Sequence, residues 1–296
     1  MEKLLIVGCG DVARRALPEL LRRYRVSALV RALDPSLVSA GAELVEGDLD
    51  RAETLAVLPA GASRIAHFAP PAEGGRRDVR TRALLAALEH AARRGEMLPQ
   101  RFVYLSTSGV YGDCGGARVD ETRAPFPQTE RAARRLDAER ALLEWGGRLG
   151  IETVVLRVPG IYAADRLPLE RLRRGVPALR AEDDVYSNHI HADDLAAAVV
   201  AALEREAPPG VYNVSDDSEI RMGDWFDLVA VRRGLPRPPR IARAEAADLI
   251  PAAQLSFMSE SRRLVNRRMK EALGVRLRYP TVADGVPFMA AVEKAA

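Results

Sequence analysis

The run Gly8-Cys9-Gly10-Asp11-Val12-Ala13 sets two glycines and a small residue in a Gly-x-Gly-x-x-Ala spacing, directly behind the apolar stretch Leu4-Leu5-Ile6-Val7. That spacing suits the holding of phosphates. The first glycine permits a tight turn, the second lets the backbone approach a pyrophosphate, and the small third residue lets a helix pack closely on a strand. A helix opening at Asp11 would turn free N–H groups and a positive dipole end toward the phosphates. Gly8, Gly10, Asp11 and Val12 therefore read as a dinucleotide-binding loop, with a plain glycine turn as the alternative.

The residues that follow bear on which dinucleotide. After the apolar run Val26–Val30, an acid would grip the ribose hydroxyls of NAD. This chain has Arg31 there, and Asp34 comes only later. Arg31 suits the 2′-phosphate of NADP, or is an ordinary solvated arginine. The expected cofactor is NADP or NAD, with NADP favoured. Gly47-Asp48-Leu49 is placed either to meet the adenine end, through Asp48 and Leu49, or to make a polar turn. His67 closes another apolar run and is followed by Phe68-Ala69-Pro70-Pro71. Phe68, Ala69 and Pro70 are expected beside the cofactor. His67 itself could move protons near a substrate or point into the core, and the sequence leaves both open.

These residues need a scaffold. Apolar strand-like runs at Leu4–Val7, Val26–Val30, Arg64–Phe68, Phe102–Ser106 and Thr153–Arg157 are mostly separated by helical patterns at Asp11–Arg23, Asp78–Arg93 and Glu130–Leu149. Short apolar strands alternating with helices predict an α/β Rossmann fold: a doubly wound parallel sheet with helices on both faces. Pro18 is expected to kink or break the first helix. The second half is punctuated by Pro and Gly, though Asp193–Glu204 reads as a helix and Gly210–Val214 as a strand. The expected division is an NAD(P)-binding domain over 1–157, with 190–215 returning to the sheet. Residues 158–189 and 216–296 would form a smaller C-terminal substrate lobe.

The stretch Arg101-Phe102-Val103-Tyr104-Leu105-Ser106-Thr107-Ser108-Gly109-Val110-Tyr111-Gly112-Asp113 resembles the extended short-chain dehydrogenase/reductases, the NAD-dependent epimerase/dehydratases. Further segments match in order: Asp120-Glu121-Thr122, Leu156-Arg157-Val158-Pro159-Gly160-Ile161-Tyr162, Asn188-His189-Ile190-His191-Ala192-Asp193-Asp194-Leu195 and Gly210-Val211-Tyr212-Asn213-Val214. The C-terminal Leu273-Gly274, Tyr279-Pro280-Thr281 and Gly285-Val286 do so too. The resemblance implies a catalytic hydroxyl at Thr107, substrate contacts from Ser108 and His189, and a cofactor contact at Pro159; Tyr111 and Tyr162 either meet the substrate or simply pack in their loops, as is usual in the family. Thr107 would hydrogen-bond a substrate oxygen, or merely cap local backbone.

The resemblance also implies a Tyr-x-x-x-Lys pair on the next helix. Aligning Arg135-Leu136-Asp137-Ala138-Glu139 with that helix's usual Lys-Leu-x-x-Glu end puts Arg131 at the Tyr position and Arg135 at the Lys position. The loss is independent of alignment. The only lysines are Lys3, Lys270 and Lys294; Asn266 and Ala290 stand four residues before the last two, and nothing before the first. Arginine stays protonated, so Arg131 cannot be a general base. The glycine spacing departs from the family's usual Gly-x-x-Gly-x-x-Gly as well, and both departures look like an atypical subgroup.

With 48% hydrophobic and 29% charged residues, the chain can bury a sizeable core. A net charge of +3, interleaved with acids, gives no nucleic-acid surface. Two cysteines, Cys9 and Cys114, imply no disulfide framework, and the short opening strand is no signal or membrane segment. A cytoplasmic protein is expected. Alternate residues His189 and His191 share a strand face, yet the run fits a strand-to-helix junction, and no metal is expected. Trp and Met residues read as core, and Arg262-Arg263 with Arg267-Arg268 as a solvated helix face.

Two functions remain. One is an oxidoreductase or epimerase/dehydratase with a modified site, acting on a carbonyl or alcohol group of a small molecule such as a nucleotide sugar. There Arg131 would act as a clamp on an anionic group or oxyanion. The other is a non-catalytic NAD(P)-binding redox sensor or regulator. A homodimer is a family-level expectation.

Overall fold

A computed structural model describes residues 1–58, 61–204 and 206–289. Strands β1 (Glu2–Val7), β2 (Tyr24–Val30), β3 (Glu43–Glu46), β4 (Arg64–His67), β5 (Arg101–Thr107), β6 (Glu152–Val158) and β7 (Gly210–Asn213) form one parallel sheet. Its order is β3-β2-β1-β4-β5-β6-β7. The order reverses beside β1, so the β1–β4 crevice is where a ligand belongs in a doubly wound sheet. The strands read as unbroken apolar runs because helices cover both faces.

One face is covered by α1 (Asp11–Arg23) and α4 (Ala192–Leu203). Leu4, Ile6, Val103, Val154 and Leu156 pack there with Leu17, Leu20, Leu195 and Val199. The other carries α2 (Val79–Arg93) and α3 (Glu130–Leu149), whose Leu84, Leu142 and Trp145 meet Leu5, Ile65, Phe102 and Val155. Caps fix where the helices start. Asp78 accepts from the Arg80 and Thr81 amides, and Thr129 from Ala132.

Of the two expectations for Pro18, the break is overturned: α1 runs through this residue to Arg23. Pro18 sits on the exposed side, where the carbonyl it deprives can take water. Val12, Ala13, Ala16, Leu17 and Leu20 hold the opposite face in the core.

A second apolar core joins Tyr162, Leu172, Leu179, Trp225, Phe226, Val229, Ile250, Met258 and Val286 around α5 (Met222–Arg232). Short strand pairs bind this part to the sheet. Gly160–Tyr162 runs parallel to His189–His191, and Arg118–Val119 parallel to Arg263–Leu264. The last pairing overturns the reading of Arg262-Arg263 as a solvated helix: only Arg267–Ala272 is helical there. Asn188 fixes the segment, donating to the Arg262 carbonyl and accepting from the Leu264 amide.

Behind the C-terminal ends of β5 and β6 lies a buried ion pair. Glu139 of α3 accepts from Arg157 Nη2 at 2.7 Å, and Ser106 Oγ donates to its other oxygen. Arg157 in turn lies 4.7 Å over the Tyr111 ring.

Candidate functional site

Two clefts open at the C-terminal edge of the sheet. The first, about 580 Å³, follows the β1–β4 crevice. Its walls include Gly8, Gly10, Asp11, Val12, Arg31, Asp48, Leu49, Phe68, Ala69 and Pro70, all picked out in the sequence as cofactor residues. Pro159, the remaining one, lines the neighbouring cleft instead.

The two glycines are there for different reasons. Gly8 has φ +86°, and a Cβ on it would lie 2.7 Å from the Ala69 amide nitrogen, so the fold itself demands glycine. Gly10 has φ −81°, and a Cβ there would meet nothing within 4 Å. It precedes α1 without any side-chain cap, leaving first-turn N–H groups facing the cleft. The cradle fits a pyrophosphate on its own geometry.

Asp11 is already engaged. Its carboxylate takes Arg15 at 2.9 Å and Arg166 at 2.6 Å, and these donors pull its pKa down despite burial, the largest single influence. Arg15 also grips Asp165 and Asp193. At the other end, Arg14 holds Asp34, which also accepts from Ser36. Asp48 takes part in a turn with Thr54, and Gly47, Asp48 and Leu49 also line the cleft.

The second cleft, about 380 Å³, adjoins the first. Thr107, the last residue of β5, and Ser108 after it line this cleft. Thr107 Oγ1 accepts from the Gly109 amide at 3.2 Å, so it caps local backbone as well as facing the cleft, and its own O–H is free to donate. Arg131 and Arg135 stand one turn apart on α3. Arg131 enters the second cleft and Arg135 the first. Arg135 donates to the Leu105 carbonyl at 2.6 Å and the Tyr104 hydroxyl at 3.2 Å. Arg131 lies 4.1 Å over the exposed Phe257 ring. Burial, chiefly, pulls its pKa below the usual arginine value, and Glu260 opposes this.

Several sequence expectations relocate. His67 lines neither cleft. It is 1% exposed, with Nε2 3.0 Å from Thr81 Oγ1, and packs on Phe102 and Tyr104. Burial, helped by the Arg135 charge, lowers its pKa to about 3, so it is neutral. Tyr111 is buried as well, its hydroxyl donating to Asn213 Oδ1 at 2.8 Å. Tyr162 and His189 do line the second cleft, but Tyr162 donates to the Thr281 carbonyl and the His189 ring packs on Trp225. His189 is buried and depressed to about 3 by loss of water. His191 Nδ1 caps α4 by accepting from the Asp193 amide. Among the described residues no group of His, Cys, Asp and Glu is arranged to hold a metal.

Sequence reasoning missed Arg262, Glu260, Phe257 and Tyr186, which line the second cleft, and treated Trp225 only as core. Their signal is tertiary, since all lie over seventy residues from Thr107 and arrive through the short strand pairs.

Asp216, behind this wall, yields a first test. Its Oδ1 accepts from the Ser218 amide at 2.9 Å, while Oδ2 is buried without a partner. Burial, before any neighbouring charge, pushes its pKa up to about 7. Unfolded, the carboxyl ionises near the ordinary 3.8. Folded stability is therefore greatest with the proton on, and falls as pH rises from that value through the folded pKa. Asp216→Asn, which cannot ionise, is expected to gain about 1–4 kcal/mol over the parent at pH 8, and little at pH 4. Thermal melts at both pH values check this; an equal difference at the two would refute it.

The family model described as "NAD dependent epimerase/dehydratase family" matches residues 4–215. The chain belongs to that family. A 3-diazoavenalumate denitrifying reductase from Streptomyces sp is 27% identical over 304 residues, 96% of this chain and 99% of that protein. A GDP-6-deoxy-D-mannose reductase from Pseudomonas aeruginosa is 28% identical over 144 residues, 44% of this chain and 47% of its own. Among solved structures, a functionally unknown conserved protein from Silicibacter pomeroyi is 33% identical with a TM-score of 0.76, covering 96% of both chains. MoeE5, solved with UDP-glucose and NAD, shares the fold at 20% identity and a TM-score of 0.72, over 96% of this chain and 95% of its own. In this epimerase/dehydratase chain no helix among the described residues is long and apolar enough to cross a membrane.

Proposed function

We infer that the protein is an NAD(P)-dependent oxidoreductase that works as a reductase on a small electrophilic substrate, without a tyrosine general acid. The observation that carries this is the guanidinium pair on α3. Arg131 faces one cleft and Arg135 the other, where the family pattern has a proton-transferring phenol and its lysine. A bound nicotinamide would supply hydride. Gly8, Gly10 and the start of α1 would hold its pyrophosphate, and Arg135 its ribose side. The part bounded by 158–189 and 216–296 would hold the substrate. Thr107 would donate its hydroxyl to a substrate oxygen. Arg131 would stand in the same cleft as a fixed cation for an anionic group of the substrate, and the proton for the reacting oxygen would come from water. Two relatives named as reductases favour reduction over epimerisation.

NADPH is the proposed cofactor. Arg31 borders the adenosine end of the cleft, and Asp34, the nearest acid beyond β2, is tied to Arg14 and Ser36. Arg31→Ala is expected to weaken NADPH at least about tenfold, the worth of one charged hydrogen bond, and to leave NADH nearly unchanged. Calorimetric titration of both nucleotides decides it; equal losses for the two would remove Arg31 from the 2′-phosphate.

The absence of any Tyr-x-x-x-Lys also favours a second reading, a cofactor-binding regulator without turnover. NADPH oxidation with any carbonyl or other electrophilic compound, abolished by Thr107→Val, would exclude it. Cofactor binding with no turnover across such a screen would exclude the reductase.

A further inference from the structure

The second cleft says more about its guest than the reaction class does. Three guanidinium groups border it: Arg131, Arg166 and Arg262. Two are spoken for. Arg166 pairs with Asp11 at 2.6 Å, and Arg262 donates to Glu260 at 2.8 Å and to the Gly112 carbonyl at 2.8 Å. No hydrogen bond or ion pair engages Arg131 among the described residues. Its guanidinium carbon instead lies 4.1 Å from the ring centroid of Phe257, a residue 54% exposed. A cation–π contact uses up no N–H donor, so those of Arg131 remain for a planar, two-pronged acceptor. The cleft thus presents one uncompensated cation. The pyrophosphate of a nucleotide sugar brings a double charge and a nucleoside besides, into a space of about 380 Å³. That volume is at the small end of ligand sites, which run from about 300 to 1,000 Å³. The exposed Phe257 face, with Tyr186 and Trp225 in the same wall, favours a flat π-system.

We propose that the cleft takes a small aromatic monocarboxylate, its carboxylate held on the edge of Arg131 and its ring against the Phe257 side of the wall. The proposal rests on the reductase reading for which cleft is the substrate's. It sets this chain apart from the GDP-sugar in the name of the Pseudomonas aeruginosa relative and the UDP-glucose bound to MoeE5.

The test uses the whole protein saturated with NADPH, whose own binding is measured first. Failure at that step overturns the reductase reading, and the substrate class with it. With NADP⁺ then in place of NADPH, so that no hydride is transferred during the titration, 4-formylbenzoate, its methyl ester and UDP-glucose are titrated by calorimetry. The carboxylate is expected to bind about ten- to a hundredfold tighter than the ester, the worth of a hydrogen-bonded charge. Arg131→Ala should erase that preference, and Arg131→Lys should restore only part of it. Phe257→Ala should weaken acid and ester alike. The proposal is overturned if UDP-glucose binds more tightly than 4-formylbenzoate, if the ester equals the acid, or if Arg131→Ala leaves the preference intact.

Discussion

Gly10→Asp should abolish dinucleotide binding while leaving the fold as stable as before, or slightly more so. Residue 10 precedes α1 in extended backbone, and a side chain there enters open space. Aspartate is among the best residues for such a position, because its oxygen can accept an orphan N–H of the first turn. The same carboxylate would sit where a pyrophosphate needs those N–H groups. Placing like charges together costs several kcal/mol, so affinity should fall by about a thousandfold or more. Gly10→Ala separates shape from charge, since a methyl group costs the fold nothing and only narrows the approach. The measurement is NADPH titration alongside thermal melts of all three proteins. Tight binding by the aspartate variant would show that this helix end does not receive the phosphates. A collapse in melting temperature would show that Gly10, like Gly8, serves the fold.

Glu139→Ala should produce the largest loss of stability of any single change discussed. Arg157 and Glu139 have side chains only 5% and 1% exposed, and the pair is completed by Ser106 and the Tyr111 ring. Removing the carboxylate leaves Arg157 charged and out of reach of water. The cost of stranding a buried ion is about 3–5 kcal/mol. Glu139→Gln should cost less, since the amide oxygen can still accept from Arg157. Replacing both residues with apolar ones of similar volume should recover much of the loss. Urea denaturation of the four proteins decides the matter. A cost below about 1 kcal/mol for Glu139→Ala would mean that water reaches Arg157 after all.

The lining of the first cleft was legible almost whole, because its parts are local. A strand, a turn and a helix in succession define the glycine loop, and strand ends follow from runs buried on both faces. The same burial hid the direction of His67. In Arg64-Ile65-Ala66-His67 all four residues are buried, so no polar alternation marks which face each occupies. Tyr111 was unreadable for another reason: its partner Asn213 lies 102 residues away. The wall of the second cleft was the least legible part. Arg262 reaches the cleft only because Arg263–Leu264 pairs with Arg118–Val119, a register that no local pattern announces. Pro18 misled because propensity spoke for a break, while the packed face of α1 outweighed a cost of about 3 kcal/mol.

The scarcity of lysine, read against the position of the clefts, has a practical side. Among the described residues no lysine lines either cleft. Lys3 stands near the start of β1, toward the sheet edge opposite the one where both clefts open, and Lys270 lies on the short Arg267–Ala272 helix, paired with Asp217. Amine-directed chemistry at Lys3 or Lys270, whether a coupling reagent on a surface or an acetyl group in a cell, would therefore attach away from the guanidinium groups. A chain fixed to a sensor chip through Lys3 would present its clefts to the solution, so the titrations above can be run on immobilised protein.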